Sequence, residues 1–573
     1  MGVFASLFVL IAMQPVAAQG PTSELADEIV RFRADLDALQ RRYPNRLSEA
    51  RHDRISAFFS ERLEQLHAWE FEPLSPDGQL DFVLWRNYLE KESAQLRTAA
   101  EQREEMRPLI PFAERIVALD DALRDFTPLD PERAAEELND LRKEVARAQE
   151  SVAAQAPKQS VAYRSARAVS ELLEIMKHWY DFYNDYDPLF TWWCSKPYDE
   201  LRSALTAYRK HLLEKVVGVA EDDTTTIIGD PIGREALLRE LRSELIPYTP
   251  EELVEIAEKE YAWCEQEMLK ASRELGYGDD WHAALEHVKR QHVAPGEQPA
   301  LILDLALEAI RFLEERDLIT IPELAKETWR MEMMPPRRQL ESPFFLGGEA
   351  IIVSFPTASM SHEAKLMSMR GNNRHFARAT VHHELIPGHH LQGFMTQRYR
   401  PYRRLFSTPF WTEGWALYWE FLLWDKGFAT TPEDRIGMLF WRMHRCARIV
   451  FSLSFHLGKM TPQECVDYLV EKVGHERDNA TAEVRRSFGG DYAPLYQCAY
   501  MLGALQFREL RRELVDSGRM SEKQFHDAVL REGNIPVPLL RAGMLGLLEG
   551  STYKPEWRFY GNRGRGTGND DST

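Results

Sequence analysis

The chain has 573 residues, 44% of them hydrophobic, and its 90 acidic side chains outnumber 71 basic ones to leave a formal charge of −19. Such a balance excludes nucleic acid and anionic lipid surfaces as default partners, because their phosphates repel an acidic protein. Cysteines at 194, 264, 446, 465 and 498 are too few and too scattered for a disulfide framework, and their spacing matches no cysteine zinc site.

Met1 to Gly20 has the pattern of a signal peptide. Val3 to Met13 is uncharged and apolar, and the small residues at Val16 and Ala18 predict cleavage after Ala18, hence an exported product with residues 1–18 removed. The run falls well short of the roughly 20 apolar residues a membrane span needs, and no other stretch is long enough. No stable membrane insertion is expected after cleavage.

From Ser23 to about Asp317 the apolar residues recur at helical spacing, which predicts an N-terminal helical lobe over 19–317. Glu24 to Arg41 places Leu25, Ile29, Phe32, Leu36 and Leu39 on one stripe, and Leu205 to Val217, Pro250 to Leu275 and Pro299 to Glu314 behave alike. S-P-D-G at Ser75 and T-P-E-E at Thr249 mark helix starts. The aromatic residues from His178 to Phe190, with Trp192 and Trp193, are assigned to core. Between Leu318 and Phe355 the texture becomes short and β-rich: L-I-T-I-P, T-W-R-M-E-M-M-P-P and E-A-I-I-V-S-F-P predict a small sheet within 318–357.

The most informative stretch follows. Asn372-Asn373 caps a helix whose Phe376, Ala379 and His383 share one face, so His383 points inward. The run Val381 to Gln392 reads V-H-H-E-L-I-P-G-H-H-L-Q and holds four of the chain's 17 histidines. Neutral imidazole is the commonest protein ligand for zinc, and a Glu directly after a ligating His is placed to act as general base on water at the metal. His383 and Glu384 form that pair. The usual H-E-x-x-H spacing fails, because Pro387 stands four residues after His383. A break at Pro387-Gly388 brings His389 or His390 back as second ligand, and periodicity does not choose between them. A third ligand is expected in W-T-E-G-W-A-L-Y-W-E: Glu413, 24 residues after His389, sits among aromatic residues, where a buried carboxylate needs a cationic partner.

H-E-x-x-P-G-H-H-L-Q followed by E-G-W-A-L-Y resembles the bacterial domain-of-unknown-function 885 family, which looks like a distant branch of the gluzincin zinc metallopeptidases. D-P-I-G-R at Asp230, Y-M-L-G at Tyr500 and F-H-D at Phe525 extend the likeness. The resemblance implies His383, His389 and Glu413 as ligands of Zn²⁺, with His390 the alternative to His389, and Glu384 as base. It also implies a sheet lying over the active-site helix, with Ala350 to Phe355 as the strand that pairs with substrate and Gly347-Gly348 admitting its backbone. His456, which ends S-L-S-F-H where many relatives carry an Asp shortly before the His, and Tyr500 match family landmarks and are expected as catalytic contacts. His444, Tyr492 and Tyr496 are weighed for similar roles and assigned to packing; Arg485 and Arg486 are weighed as binders of a substrate carboxylate and assigned to surface ion pairs.

The expected fold is mainly α, a large helical gluzincin-like body with a small β-sheet next to the active-site helix. Residues 318–550 form its zinc lobe and 561–573 a polar, Gly-rich tail. The expected function is zinc-dependent hydrolysis of amide bonds in peptides. The alternatives are a small-molecule amidase on the same site and a non-catalytic exported metal-binding protein.

Overall fold

The computed structural model describes residues 23–561 apart from 221, 222, 224, 225, 340–343 and 491. The expected signal segment, and the tail beyond Gly561, lie outside the described residues. The fold is mainly α, with two short strands as its sheet among the described residues.

Capping chemistry starts the helices where the sequence places their signals. Ser75 accepts from Gly78 N at the head of Pro76–Met106, and Thr249 forms a reciprocal capping box with Glu252 at the head of Pro250–Glu274. Ala26–Arg42 buries Ile29, Phe32 and Leu36 on the anticipated stripe.

The apolar clusters do not follow the division expected at residue 317. One large core joins residues 25–89 and 237–325 to the C-terminal half, reaching Phe559, while residues 106–217 enclose a core of their own. Arg403 and Asp81, both fully buried and 2.7 Å apart, tie the early helix Pro76–Met106 to the second half, and Tyr402 donates to the same carboxylate. Removing one partner of such a pair would strand a charge in the interior, which is what makes the junction specific.

A third, small cluster positions the sheet. Leu301, Ile302 and Leu305 of Gln298–Glu315 meet Ile351 and Val353 of the strand Ala350–Val353 and Ala377 and Val381 of the motif helix Arg374–Glu384. Strand β1 (Arg330–Met333) pairs in parallel with β2 (Ala350–Val353), and Leu346 bonds both backbone groups of Ile352. Successive residues of a strand point their backbone groups to opposite sides, so β2 is flanked on both. The edge expected to be free for substrate along Ala350–Phe355 is therefore taken by Leu346 at Ile352.

Two other expectations are corrected. Leu318 to Pro322 is not a strand: Leu318 and Ile319 are buried, and Thr320 is anchored by Asp527 through its N–H and hydroxyl, so the apolar run serves the core without pairing. Trp192 and Trp193 are not core. Pro188–His211 buries Phe190, Cys194, Tyr198, Leu201 and Leu205, which turns Trp192, 82% exposed, to the opposite face. All five cysteines are buried and unbridged.

The tightest helix crossing lies between Pro409–Asp425 and Tyr496–Arg511. A Cβ added at Gly414 would stand 2.5 Å from the Gly503 Cα, an overlap with backbone that no rotamer relieves. Gly414→Val is expected to cost at least about 3 kcal/mol in urea unfolding, whereas Gly393→Ala, on a helix with open space at its Cβ, should be neutral or stabilising by about 1 kcal/mol.

Candidate metal and catalytic site

The motif helix begins on Asn373, whose side chain accepts from His375 and Phe376 N–H, and runs as far as Glu384. There it breaks. Leu385 leaves helical dihedrals (φ −110, ψ −103), the Ile386–Pro387 bond is cis, and a new helix, His389–Thr396, starts after Gly388. Gly388 is required at the break, because a Cβ would lie 1.7 Å from the His383 carbonyl oxygen. The folded-back chain stacks His389 edge-on to His383, ring centroids 4.9 Å apart.

Glu413 approaches from the crossing helix. Its Oε2 lies 3.6 Å from His383 Nε2 and 3.2 Å from His389 Nε2. Ligands about 2.0–2.1 Å from a tetrahedral ion stand roughly 3.3 Å apart, so these separations have the span a zinc ion needs. Glu384 Oε2 is 3.9 Å from His389 Nε2, and one atom each of His383, Glu384 and His389 falls within 4.8 Å of the others. His390 is turned away, its Nε2 bonded to the Ala325 carbonyl at 2.9 Å. Of the two histidines that periodicity left open, His389 is the one brought to this cluster.

The next layer fixes each ring. His383 Nδ1 donates to Glu420 Oε1 at 2.8 Å, and His389 Nδ1 donates to Gln392 Oε1 at 2.9 Å, whose amide in turn donates to the Thr412 carbonyl. Protons held on both Nδ1 atoms leave both Nε2 lone pairs facing Glu413. Tyr496 donates its hydroxyl proton to Glu413 Oε1. Glu413 Oε2, buried, has no hydrogen-bond partner among the described residues.

A metal is what such a donor set fits. Burial works against the charge of Glu413, yet the two imidazoles hold its pKa well below the usual carboxylate range. Burial lowers His389, but Glu413 and Glu384 outweigh this and push it up to about 9. Three carboxylates, Glu384, Glu413 and Glu420, surround two imidazoles, a donor set whose charge a divalent cation would balance while leaving both rings neutral.

Tyr500 lies over His383, rings 6.2 Å apart and 16° from parallel, with the guanidiniums of Arg445 and Arg448 5.0 and 4.3 Å from its ring centre. Burial pushes its phenol up to about 12, which keeps the proton available for donation at neutral pH. His456 is not brought to this group. It ends the helix Pro432–His456, eleven residues and so about 16 Å along the axis from Arg445, packed against Phe455 and Phe488. Arg486 is not a surface residue either: its side chain is 10% exposed, 3.8 Å from Glu483 and 4.8 Å from the Tyr492 ring centre. His444 is fully buried and shares a hydrogen bond with His475 at 2.8 Å.

Sequence reasoning passed over two residues. Glu420 stands seven residues after Glu413, two helical turns on the same face, and that spacing is a signal readable in E-G-W-A-L-Y-W-E. Tyr496, four residues before Tyr500, was set down to packing, and only the crossing helix reveals its bond to Glu413. The family landmarks are ties between distant segments: Asp230 bonds Arg164, His526 joins the Leu318 carbonyl to the Tyr418 hydroxyl, and Gly503 is the crossing point.

A family model described as "Bacterial protein of unknown function (DUF885)" matches residues 33–544, so the chain belongs to that family. Among solved structures it is similar to a "putative lipoprotein of unknown function" from Shewanella oneidensis, 16% identical, with a TM-score of 0.66 over 92% of this chain and 100% of that one. It is also similar to a "putative lipoprotein" from Colwellia psychrerythraea, 15% identical, TM-score 0.59, covering 92% of this chain and 99% of that one. These likenesses show a shared fold. A comparison with the curated proteins finds no match.

The placement of His456 has a consequence for acid stability. Burial lowers its pKa to about 4, from about 6.5 in an unfolded chain, so above pH 6.5 the ring is neutral in both states and costs nothing. As pH falls the unfolded chain takes the proton first, which withdraws roughly 2 kcal/mol of stability between pH 7 and 5. Urea midpoints at the two pH values should therefore differ less in His456→Asn than in the parent.

Proposed function

We propose that this chain is an exported zinc-dependent hydrolase of amide bonds, a remote gluzincin-type peptidase acting on short or unfolded peptides. The observation that carries the reading is the buried, unpartnered Oε2 of Glu413 set between the Nε2 atoms of His383 and His389, with Glu384 beside them. Export is supported by the Met1–Ala18 segment and by the lipoprotein names of the two solved neighbours. Among the described residues no helix is long and apolar enough to cross a membrane.

His383, His389 and Glu413 would hold the ion. Zinc bound there supplies a Lewis acid that makes water nucleophilic near neutral pH and polarises the scissile carbonyl. Burial raises the Glu384 carboxyl, against the pull of the two imidazoles, which suits it to take a proton from water and return it to the leaving amine nitrogen. Gly347 is part of this fit: a Cβ there would come within 2.3 Å of Glu384 Oε2, so any other residue would displace the base. The Tyr500 phenol, protonated and facing the ligand cluster, is the donor for the oxygen on which charge develops. With β2 flanked on both sides, peptide backbone would meet the protein at Gly347-Gly348, where both residues line the cavity.

Three outcomes follow. Purified parent protein should carry close to one zinc per chain by mass spectrometry, whereas His383→Ala and Glu413→Ala lose it and His390→Ala keeps it; full occupancy in the first two variants would refute the ligand assignment. Glu384→Gln should retain zinc while turnover of a peptide mixture vanishes. Glu420→Gln should weaken zinc affinity by about 10- to 100-fold in a chelator competition, with Tyr500→Phe holding zinc normally and losing about 100-fold in kcat.

A further inference from the structure

A cavity of about 530 Å³ opens from the ligand cluster, a size within the roughly 300–1,000 Å³ range of small-ligand pockets. Half-buried His389 and buried Glu413 lie at its inner end, while Arg33 and Arg404, both exposed, line it towards solvent. The two arginines come from different parts of the chain. Arg33 belongs to Ala26–Arg42, one turn after Ile29 and so at the flank of the Ile29, Phe32 and Leu36 stripe, and Arg404 to the 3-10 turn Pro401–Phe406.

Glu413 is the one acidic side chain among the residues lining the cavity, and it is already engaged with two imidazoles and Tyr496. Arg404 makes no side-chain hydrogen bond or ion pair with any described residue. Arg33 has a single weak contact, Asp37 at 4.0 Å with both side chains about half exposed. On a chain of charge −19, this cavity lining instead carries two guanidiniums against the one carboxylate of Glu413. Each guanidinium offers a planar fork of N–H donors that matches the two oxygens of a carboxylate.

We infer that the cavity selects substrates bearing a carboxylate, held by Arg33 and Arg404 while the amide to be cleaved lies at the inner end. The inference rests on the hydrolase reading for the cleavage step, but not for the binding step. A carboxylate on a peptide comes from a free C-terminus or from an acidic side chain, and the two sources are separable.

The test measures binding and turnover independently. Tetra-alanine carrying an uncharged nitrobenzoxadiazole fluorophore on its N-terminus is prepared as the free acid, as the C-terminal amide, and as the amide with one Ala replaced by Glu. Anisotropy titrations use zinc-supplemented full-length Glu384→Gln protein, and kcat/KM is read on the parent. At least one carboxylate-bearing peptide is expected to bind about tenfold tighter than the neutral amide, the favoured one identifying the source. The preference should shrink to less than twofold in Arg33→Gln/Arg404→Gln on the same background, and should survive Arg107→Gln, an exposed arginine outside the cavity that controls for net charge. Both arginines are exposed, so the variants should fold, and circular dichroism checks this. Equal binding of all three peptides, or a preference unchanged by the double substitution, overturns the inference even if every peptide is hydrolysed. A carboxylate preference abolished by the double substitution in a protein that cleaves none of them upholds the inference and defeats the hydrolase reading.

Discussion

The site depends on one close approach of backbone to backbone. Gly414 and Gly503 let two helices cross with no side chain between them, and this brings Glu413 up to the imidazoles of a different helix pair while setting Tyr496 and Tyr500 against it. The opposite wall depends on a second glycine contact. Gly388 lets the chain fold back over the last turn of the motif helix, so that His389 faces His383 despite the Pro-Gly break. Both contacts are steric before they are chemical: the donors converge because the backbones can.

Convergence of charge in a buried site has to be balanced, and the surrounding layer does this by distance. Arg445 stands 3.7 Å from Glu420, while Arg448 sits 2.7 Å from Glu483, away from the ligands. Burial opposes ionisation of Glu483, but Arg448 and Arg486 bring it down to about 2. The arginines thus neutralise the outer carboxylates and leave Glu413 and Glu384 facing the imidazoles. Glu420 works in both layers, accepting from His383 and approached by Arg445, which makes it the link between the His383–His389–Glu413 cluster and the helix Pro432–His456.

The helical class, the capping positions at Ser75, Thr249 and Asn373, and the candidate ligands His383, His389 and Glu413 were legible in the sequence, because each is written in local spacing or in a motif. What was not legible depends on partners distant in sequence. Trp192 read as core because aromatic residues cluster around it, yet its helix already buries a full face. Leu318 to Pro322 read as strand because a short apolar run does not distinguish pairing from burial. His456 matched a family landmark, but helical rise carries it away from the cluster, whereas Tyr496 showed no local signal at all for its bond to Glu413. The apolar core crosses residue 317 for a related reason: the first helices complete the core of the second half, a long-range fact that periodicity does not encode.

The central claim is that two imidazoles and one distant carboxylate share a single cation. X-ray absorption at the zinc K-edge on the zinc-loaded parent protein addresses it directly. The account predicts two imidazole nitrogens with the remaining ligands oxygen, at about 2.0–2.2 Å. A shell containing sulfur, a single imidazole, or three or more imidazoles would contradict it, as would a protein that retains no zinc after dialysis.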